Sequence, residues 1–299
     1  MNNFKLIQNS GWSDYELIDT GGYEKLERFG EFTISRPEPQ ACWNKTLSPA
    51  EWDNLTHAKF IKSSDKERNS EKGQWVMLKK MKEQWFINYA YKQMKIRFRL
   101  GLTSFKHLGI FPEQADNWNY IFDSITEINV TQPKVLNLFA YTGGASLAAK
   151  TAGADVVHVD SVKQVVNWSH ENMEASGLHG IRWVVEDAMK YVKRELRRGN
   201  KYEGIILDPP AYGRGPDGEK WVLEEQINEL MAHCSELLNP EKAFIVVNLY
   251  SMGFSALVAH NLLKSFVKNI NQEEYGELFF KDKSGNDLPL GTFVRAKTF

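Results

Sequence analysis

Residues Gly204–Gly215, GIILDPPAYGRG, combine types that seldom meet by accident. An apolar run, Ile205 to Leu207, stops at Asp208, and Pro209, Pro210, Tyr212 and Arg214 follow. Proline has no backbone donor and biases the residue before it away from helix, so the run ends there in a stiff loop. A carboxylate beside proline carbonyls offers two acceptors to one amine. Asp208 with Pro209 or Pro210 would take both amine hydrogens and turn the nitrogen lone pair outward. Tyr212 would stack on a flat ring. Arg214 would contact a phosphate or simply hold the loop.

Other apolar runs end in comparable residues. In LNLFAYTGGASLAA the pair Gly143-Gly144 follows an apolar run and opens a helix, a turn that lets backbone approach a ligand. The dinucleotide fingerprint does not fit, because Ala145 and Ala148 stand where glycines would be required. S-adenosylmethionine carries no pyrophosphate and needs no such glycines. Asp160 ends VVHVD, where it would accept both hydroxyls of a ribose diol or cap the next helix. Asp187 ends WVVED, where it would take an adenine amine, with the Ala188 backbone alongside, or again act as a cap.

These positions need a scaffold that brings strand ends together. From about residue 112 the chain alternates strand and helix: KVLNLFA, DVVHVD, IRWVVE, GIILD and AFIVVNLY are separated by helical segments. That rhythm predicts a doubly wound, Rossmann-like α/β sheet with helices on both faces. GELFFKD and PLGTFVRA predict a C-terminal antiparallel hairpin around KSGNDL. Residues 1–105 read as a small β-rich α+β accessory domain and 106–299 as the catalytic domain. In the first part, strands flank Gly21-Gly22, Ser48, Pro49 and Glu51 announce a helix start, and polar Ser63–Gly73 reads as a mobile loop. MKIRFRL alternates, with Met94, Ile96, Phe98 and Leu100 on one face and Lys95, Arg97 and Arg99 on the other. Lys79, Lys80, Lys82, Lys92 and Lys106 lie near in sequence, so this stripe would either meet phosphates or form an ordinary solvated face.

Bulk properties narrow the choice of partner. A net charge of −1 over 299 residues leaves any nucleic acid to a local patch. Two cysteines suit a reducing compartment, no apolar run reaches membrane-helix length, and the first residues lack a signal-peptide core, so a soluble cytoplasmic protein is expected. Seven histidines show no metal-ligand spacing, and no metal is expected. Oligomeric state is left open.

LNLFAYTGGAS, VDSVKQVVNWSHEN, DAMKYV and LDPPAYGRG, in this order, resemble the class I S-adenosylmethionine-dependent methyltransferases. More narrowly, residues 90–299 are similar to the bacterial large-subunit ribosomal RNA methyltransferase group, which includes cytosine-carbon and guanine-nitrogen enzymes. The resemblance implies the methyltransferase form of the doubly wound sheet, S-adenosyl-L-methionine as cofactor and RNA as substrate. It further implies a cofactor site from Asn137, Phe139, Ala140, Tyr141, Thr142, Gly143, Gly144, Asp160, Ser161, Asp187, Ala188 and Asp208. GIFPEQADN adds Phe111 and Gln114. The N-terminal RNA-binding module of many such enzymes is not evident. Cytosine-carbon transfer generally needs a cysteine thiolate. In the resembling cytosine enzymes it follows the fifth strand, where this chain has Asn248, Tyr250 and Ser251. Cys234 has helical core spacing and Cys42 lies in the accessory part. A nitrogen target is therefore expected. Two other readings compete: transfer to a protein side chain or small molecule, and a catalytically silent cofactor-binding partner.

Overall fold

The computed structural model describes residues 3–9, 11–63, 72–250 and 253–299. The chain opens with strand β1 (Phe4–Gln8), followed by β2 (Tyr15–Gly21), β3 (Glu24–Phe29) and β4 (Phe32–Pro37). Helix α1 (Pro49–Leu55) starts as its sequence requires: Ser48 Oγ accepts from Glu51 N, and Glu51 Oε2 accepts from Ser48 N at 2.9 Å. Strands β5 (Ala58–Lys62) and β6 (Gly73–Met77) complete a five-stranded sheet of order β2-β3-β4-β5-β6. Residues 64–71 of the polar segment expected to form a loop lie outside the described residues, while Gly73 already belongs to β6. β7 (Gln84–Tyr91) and β8 (Met94–Gly101) form a separate antiparallel hairpin, and Met94, Ile96, Phe98 and Leu100 are buried on one face as their alternation predicts.

The remainder carries the parallel sheet. After α2 (Ala115–Glu127) come β9 (Lys134–Leu138), α3 (Gly144–Thr151), β10 (Asp155–Asp160), α4 (Lys163–Ala175), β11 (Ile181–Val185), α5 (Ala188–Arg197) and β12 (Gly204–Leu207). A small hairpin, β13 (Tyr212–Arg214) and β14 (Lys220–Val222), precedes α6 (Leu223–Leu237). Then follow β15 (Phe244–Leu249), α7 (Ala256–Phe266), β16 (Gln272–Lys281) and β17 (Asp287–Lys297). The sheet order is β1-β16-β17-β15-β12-β9-β10-β11. The register places Leu138 opposite both Val159 and Leu207, and Leu207 opposite Val247. Residues 139, 160, 208 and 248 therefore emerge along one edge, the position for ligands in such sheets.

The packing does not follow the expected division at residue 105. β1 leaves the accessory part and pairs with β16 in parallel, Phe4 opposite Tyr275. The β7–β8 hairpin lies on the catalytic helices, where Trp168 Nε1 of α4 donates to Arg99 O at 2.9 Å. One apolar core runs from Leu17 and Phe29 through Trp85, Phe98 and Trp118 to Val135, Val156 and Phe244. Burial on this scale drives folding, so the N-terminal sheet is fastened to the catalytic body.

Candidate cofactor and substrate site

A cavity opens at the carboxyl edge of the parallel strands. Of the residues picked out from sequence, Phe111, Gln114, Asn137, Phe139, Ala140, Tyr141, Thr142, Gly143, Gly144 and Asp208 line it. The loop after β9 forms most of one wall in a costly conformation: Phe139 and Tyr141 have φ of 55° and 48°, and Gly143 has 93°. Non-glycine residues enter this region only where their surroundings insist, commonly at binding sites.

The surroundings here are a chain of buried hydrogen bonds. Asn137 Nδ2 donates to Ser146 Oγ at 2.9 Å, and Ser146 Oγ lies 3.0 Å from His158 Nδ1. His158 Nε2 lies 3.3 Å from Ser169 Oγ, which donates to Tyr141 O at 2.6 Å. Asn172 Nδ2 holds Thr142 O at 3.0 Å, and Thr142 Oγ1 donates to Gly109 O at 2.7 Å. Burial pushes the His158 imidazolium down to about 3, so the ring is neutral and structural. The two glycines serve different needs. Gly143 supplies the left-handed turn before α3, whereas a Cβ on Gly144 would lie 2.5 Å from the Trp118 indole.

Asp160 and Asp187 stand at their strand ends but are not among the residues lining the cavity, and the same is true of their neighbours Ser161 and Ala188. Asp160 Oδ2 accepts from Tyr141 N and Oδ1 from Val162 N, both at 2.9 Å. Burial raises its carboxyl above the usual range against those bonds. Asp187 is the N-cap of α5, accepting from Lys190 N at 2.9 Å. Asp187 thus does the capping work that its position allowed, whereas Asp160 ties the loop after β9 to the turn that enters α4. A carboxylate has about four lone-pair sites, so each keeps acceptors for a ligand.

Asp208 points into the cavity beside a residue that the sequence pattern concealed. Asn248, buried in the apolar strand β15, donates from Nδ2 to Asp208 Oδ1 at 2.8 Å. Its own Oδ1 is buried and has no hydrogen-bond partner. Burial pushes the Asp208 carboxyl up to about 6, partly offset by the Asn248 bond. Trp118 and Asn117 of α2 also line the cavity and were not expected there.

The loop beyond Asp208 departs from expectation. Pro209 is buried, but the Pro210 carbonyl is not free: it accepts from Trp221 Nε1 at 2.7 Å. Trp221 lies in β14 and packs on Phe139 with ring centres 4.9 Å apart. Tyr212 and Arg214 sit on β13, exposed and outside the cavity lining, with Tyr212 at 53%. The basic face is only partly available. Arg99 pairs with Glu171 at 2.5 Å and stacks 4.3 Å from the Trp168 ring, Lys92 pairs with Asp123 and Lys82 with Glu31. Lys95 and Arg97 remain exposed or nearly so, Arg97 lying 4.6 Å from the Phe86 ring.

Cys234 is buried in α6, where burial raises its thiol, and Cys42 is exposed in the N-terminal part. Among the described residues no group of three or more His, Cys, Asp or Glu could hold a metal ion, and no helix is long and apolar enough to cross a membrane.

A family model for S-adenosylmethionine-dependent methyltransferase matches residues 44–260. The ribosomal RNA large subunit methyltransferase K/L of Shewanella frigidimarina is 31% identical over 156 residues, covering 51% of this chain and 21% of that protein. The K/L protein of Shewanella woodyi is 30% identical over 185 residues, covering 59% and 24%. The matches thus span about a fifth to a quarter of these relatives' length. The crystal structure of the SAM dependent methyltransferase from Agrobacterium tumefaciens is 34% identical, with a TM-score of 0.89 over 99% of this chain and 94% of that one. That of SMU.776 complexed with SAH shares the fold at 19% identity, with a TM-score of 0.71 over 96% and 76%.

Proposed function

This chain belongs to the S-adenosylmethionine-dependent methyltransferase family, and we propose that it methylates a nitrogen of a base in structured RNA, ribosomal RNA in the first place. The pair Asp208–Asn248 at the cavity edge carries this reading. Asn248 holds one carboxylate oxygen and leaves the other to accept from a target amine, with Pro209 as the neighbouring acceptor. The bound cofactor supplies a methyl group on sulfonium, already activated for displacement. The protein's task is therefore placement and exclusion of water. Phe111 and Tyr141, with ring centres 5.2 Å apart, would wall the cofactor. The remaining lone pairs of Asp160 and Asp187 would take its ribose hydroxyls and adenine amine. Ser161 and Ala188 would contribute backbone contacts. Tyr212 would close on the base once the β13–β14 hairpin folds inward. A base in structured RNA must leave its stack to reach such a site. Lys95, Arg97 and Arg214 would meet phosphates, and Arg99 would support them through its ion pair.

The nitrogen assignment rests on the thiols. Neither cysteine is placed to attack a ring carbon in the cavity: Cys234 is in the α6 core and Cys42 is exposed in the accessory part. The names of the K/L relatives favour ribosomal RNA, and such a substrate would be met in the cytoplasm. Transfer to a protein side chain or small molecule is the second reading, favoured by the net charge of −1 and by the ion pairs that occupy much of the basic face. The test compares modified nucleosides, by mass spectrometry, in ribosomal RNA from cells with and without the protein. One N-methylated nucleoside should disappear. Loss of a ring-carbon-methylated cytidine would overturn the nitrogen assignment, and an unchanged profile would overturn the RNA substrate.

A further inference from the structure

Trp221 of β14 touches both walls of the site. Its indole N–H donates to the Pro210 carbonyl at 2.7 Å, and its ring lies on Phe139 with centres 4.9 Å apart. Phe139 lines the cofactor cavity and is held in the left-handed region, with φ of 55°. Pro210 belongs to the loop that leaves Asp208. The hairpin around Trp221 is open to solvent, with Tyr212, Arg214 and Lys220 exposed, yet Trp221 itself is only 3% exposed. Its ring also joins the apolar core beneath α6, so packing alone is the competing account of its burial. Packing does not explain why the N–H is aimed at a loop carbonyl, a bond that a buried indole makes with whatever it is built to hold.

The loop has few means of fixing itself. Pro209 and Pro210 have no backbone N–H to donate, so beyond the Asn248–Asp208 bond it is held through its carbonyls. Leu223 N takes the Ala211 carbonyl at 3.0 Å, and Trp221 takes that of Pro210. The first contact ties the loop to the start of α6 and so to the scaffold. The second ties it to Phe139 and so to the cofactor wall. It also sorts the two proline carbonyls, because that of Pro210 is taken and that of Pro209 is left beside Asp208.

We propose that Trp221 is a positioning residue that passes cofactor occupancy on to the Asp208 loop. A cofactor seated in the cavity steadies Phe139, Phe139 steadies the indole, and the indole sets the Pro210 carbonyl and with it the approach to Asp208. Coupling of this kind needs a shared element that both sites bias, and Trp221 is in contact with each. The root of the hairpin is then set by the cofactor, while its exposed face still waits for substrate. The part of this inference that concerns transfer rests on the RNA reading above; the coupling itself does not.

Trp221→Phe tests this, because it keeps a ring beside Phe139 and removes the N–H. The control is Trp52→Phe in α1, where an indole 2% exposed also loses an N–H bond, to Ser35 Oγ at 3.1 Å. Amide hydrogen exchange is measured with and without S-adenosylhomocysteine. In wild type and Trp52→Phe this ligand should slow exchange about tenfold in both segments, 139–147 and 211–223. In Trp221→Phe, with the ligand shown by calorimetry to be bound, it should slow only the first. Equal protection of 211–223 in Trp221→Phe, or none in wild type, would overturn the coupling, and loss of ligand binding would make Trp221 part of the cofactor wall instead. With ribosomal RNA from cells lacking the protein, Trp221→Phe should lower kcat about tenfold or more at saturating cofactor. Trp52→Phe should lower the melting temperature and leave kcat unchanged. Equal losses of kcat in the two variants would reduce Trp221 to packing. Failure of the wild-type protein to methylate the RNA would overturn the RNA reading, and the exchange result would still decide the coupling.

Discussion

The loops leaving the neighbouring strands β9 and β12 are built in contrasting ways. The first is over-determined: three left-handed residues, Phe139, Tyr141 and Gly143, are held by hydrogen bonds through Ser146, His158, Ser169 and Asn172. The second is fastened by Asn248 to Asp208, Trp221 to the Pro210 carbonyl and Leu223 N to the Ala211 carbonyl. Between these it runs out into an exposed hairpin whose turn Lys190 of α5 pairs through Asp217 and Glu219. A ligand common to every turnover rewards a preformed wall, because ordering costs then fall before binding. A bulky substrate needs a wall that can move aside and close. The difference teaches which half of the site is set in advance and which awaits its substrate.

The contrast breaks most severely at Asp208. Asp208→Ala should lower kcat about 100- to 1,000-fold, the usual cost of one transition-state hydrogen-bonding group, while calorimetry shows cofactor affinity close to wild type. A comparable loss of cofactor binding would move Asp208 into the preformed half. The same carboxylate should govern pH dependence. Its raised value, about 6 against an ordinary 3.8, means that the acceptor form is present above pH 6 and lost as pH falls through it. The kcat/KM of wild type should drop about fivefold between pH 6 and pH 5, and a profile flat down to pH 4 would contradict this.

Ser169→Ala attacks the preformed loop. It removes the Ser169 hydroxyl's bonds to Tyr141 O and His158 Nε2, at a cost of about 1–3 kcal/mol. Melting temperature and cofactor affinity should fall together, with the kcat at saturating cofactor little changed. Tyr212→Ala probes the hairpin: kcat/KM should fall about tenfold, as for loss of one base–aromatic stack, with an unaltered melting temperature. The smallest effect separates two arginines on one strand. Arg97→Ala should reduce the slope of log affinity against log salt for RNA by about 1, whereas Arg99→Ala, which loses Glu171 and Trp168, should be seen in thermal stability.

Much of this was legible in the chain because apolar runs ending in acids can be read one at a time. The strand ends Asp160, Asp187 and Asp208, the helix start at Ser48 and the buried face of Met94–Leu100 all follow from local pattern. Asn248 was hidden because its role depends on sheet order. Nothing local in β15 says that it will lie beside β12, forty residues earlier, and meet Asp208. Trp221 was likewise not legible, because it belongs to a hairpin that only the Pro210 carbonyl and Phe139 explain. The basic stripe seemed freer than it is, since its neutralising partners Glu171, Asp123 and Glu31 come from distant segments.

The strand at Phe4–Gln8 has a bearing on how this molecule is made. A ribosome releases it about 270 residues before the segment around Tyr275 that it must lie against. Everything between has to settle while that ribbon waits, so its docking is a late, slow event in assembly. Clipping it away would bare the rim of β16, and such a rim invites pairing between molecules. Shortened versions of the protein are expected to clump before they lose their helices.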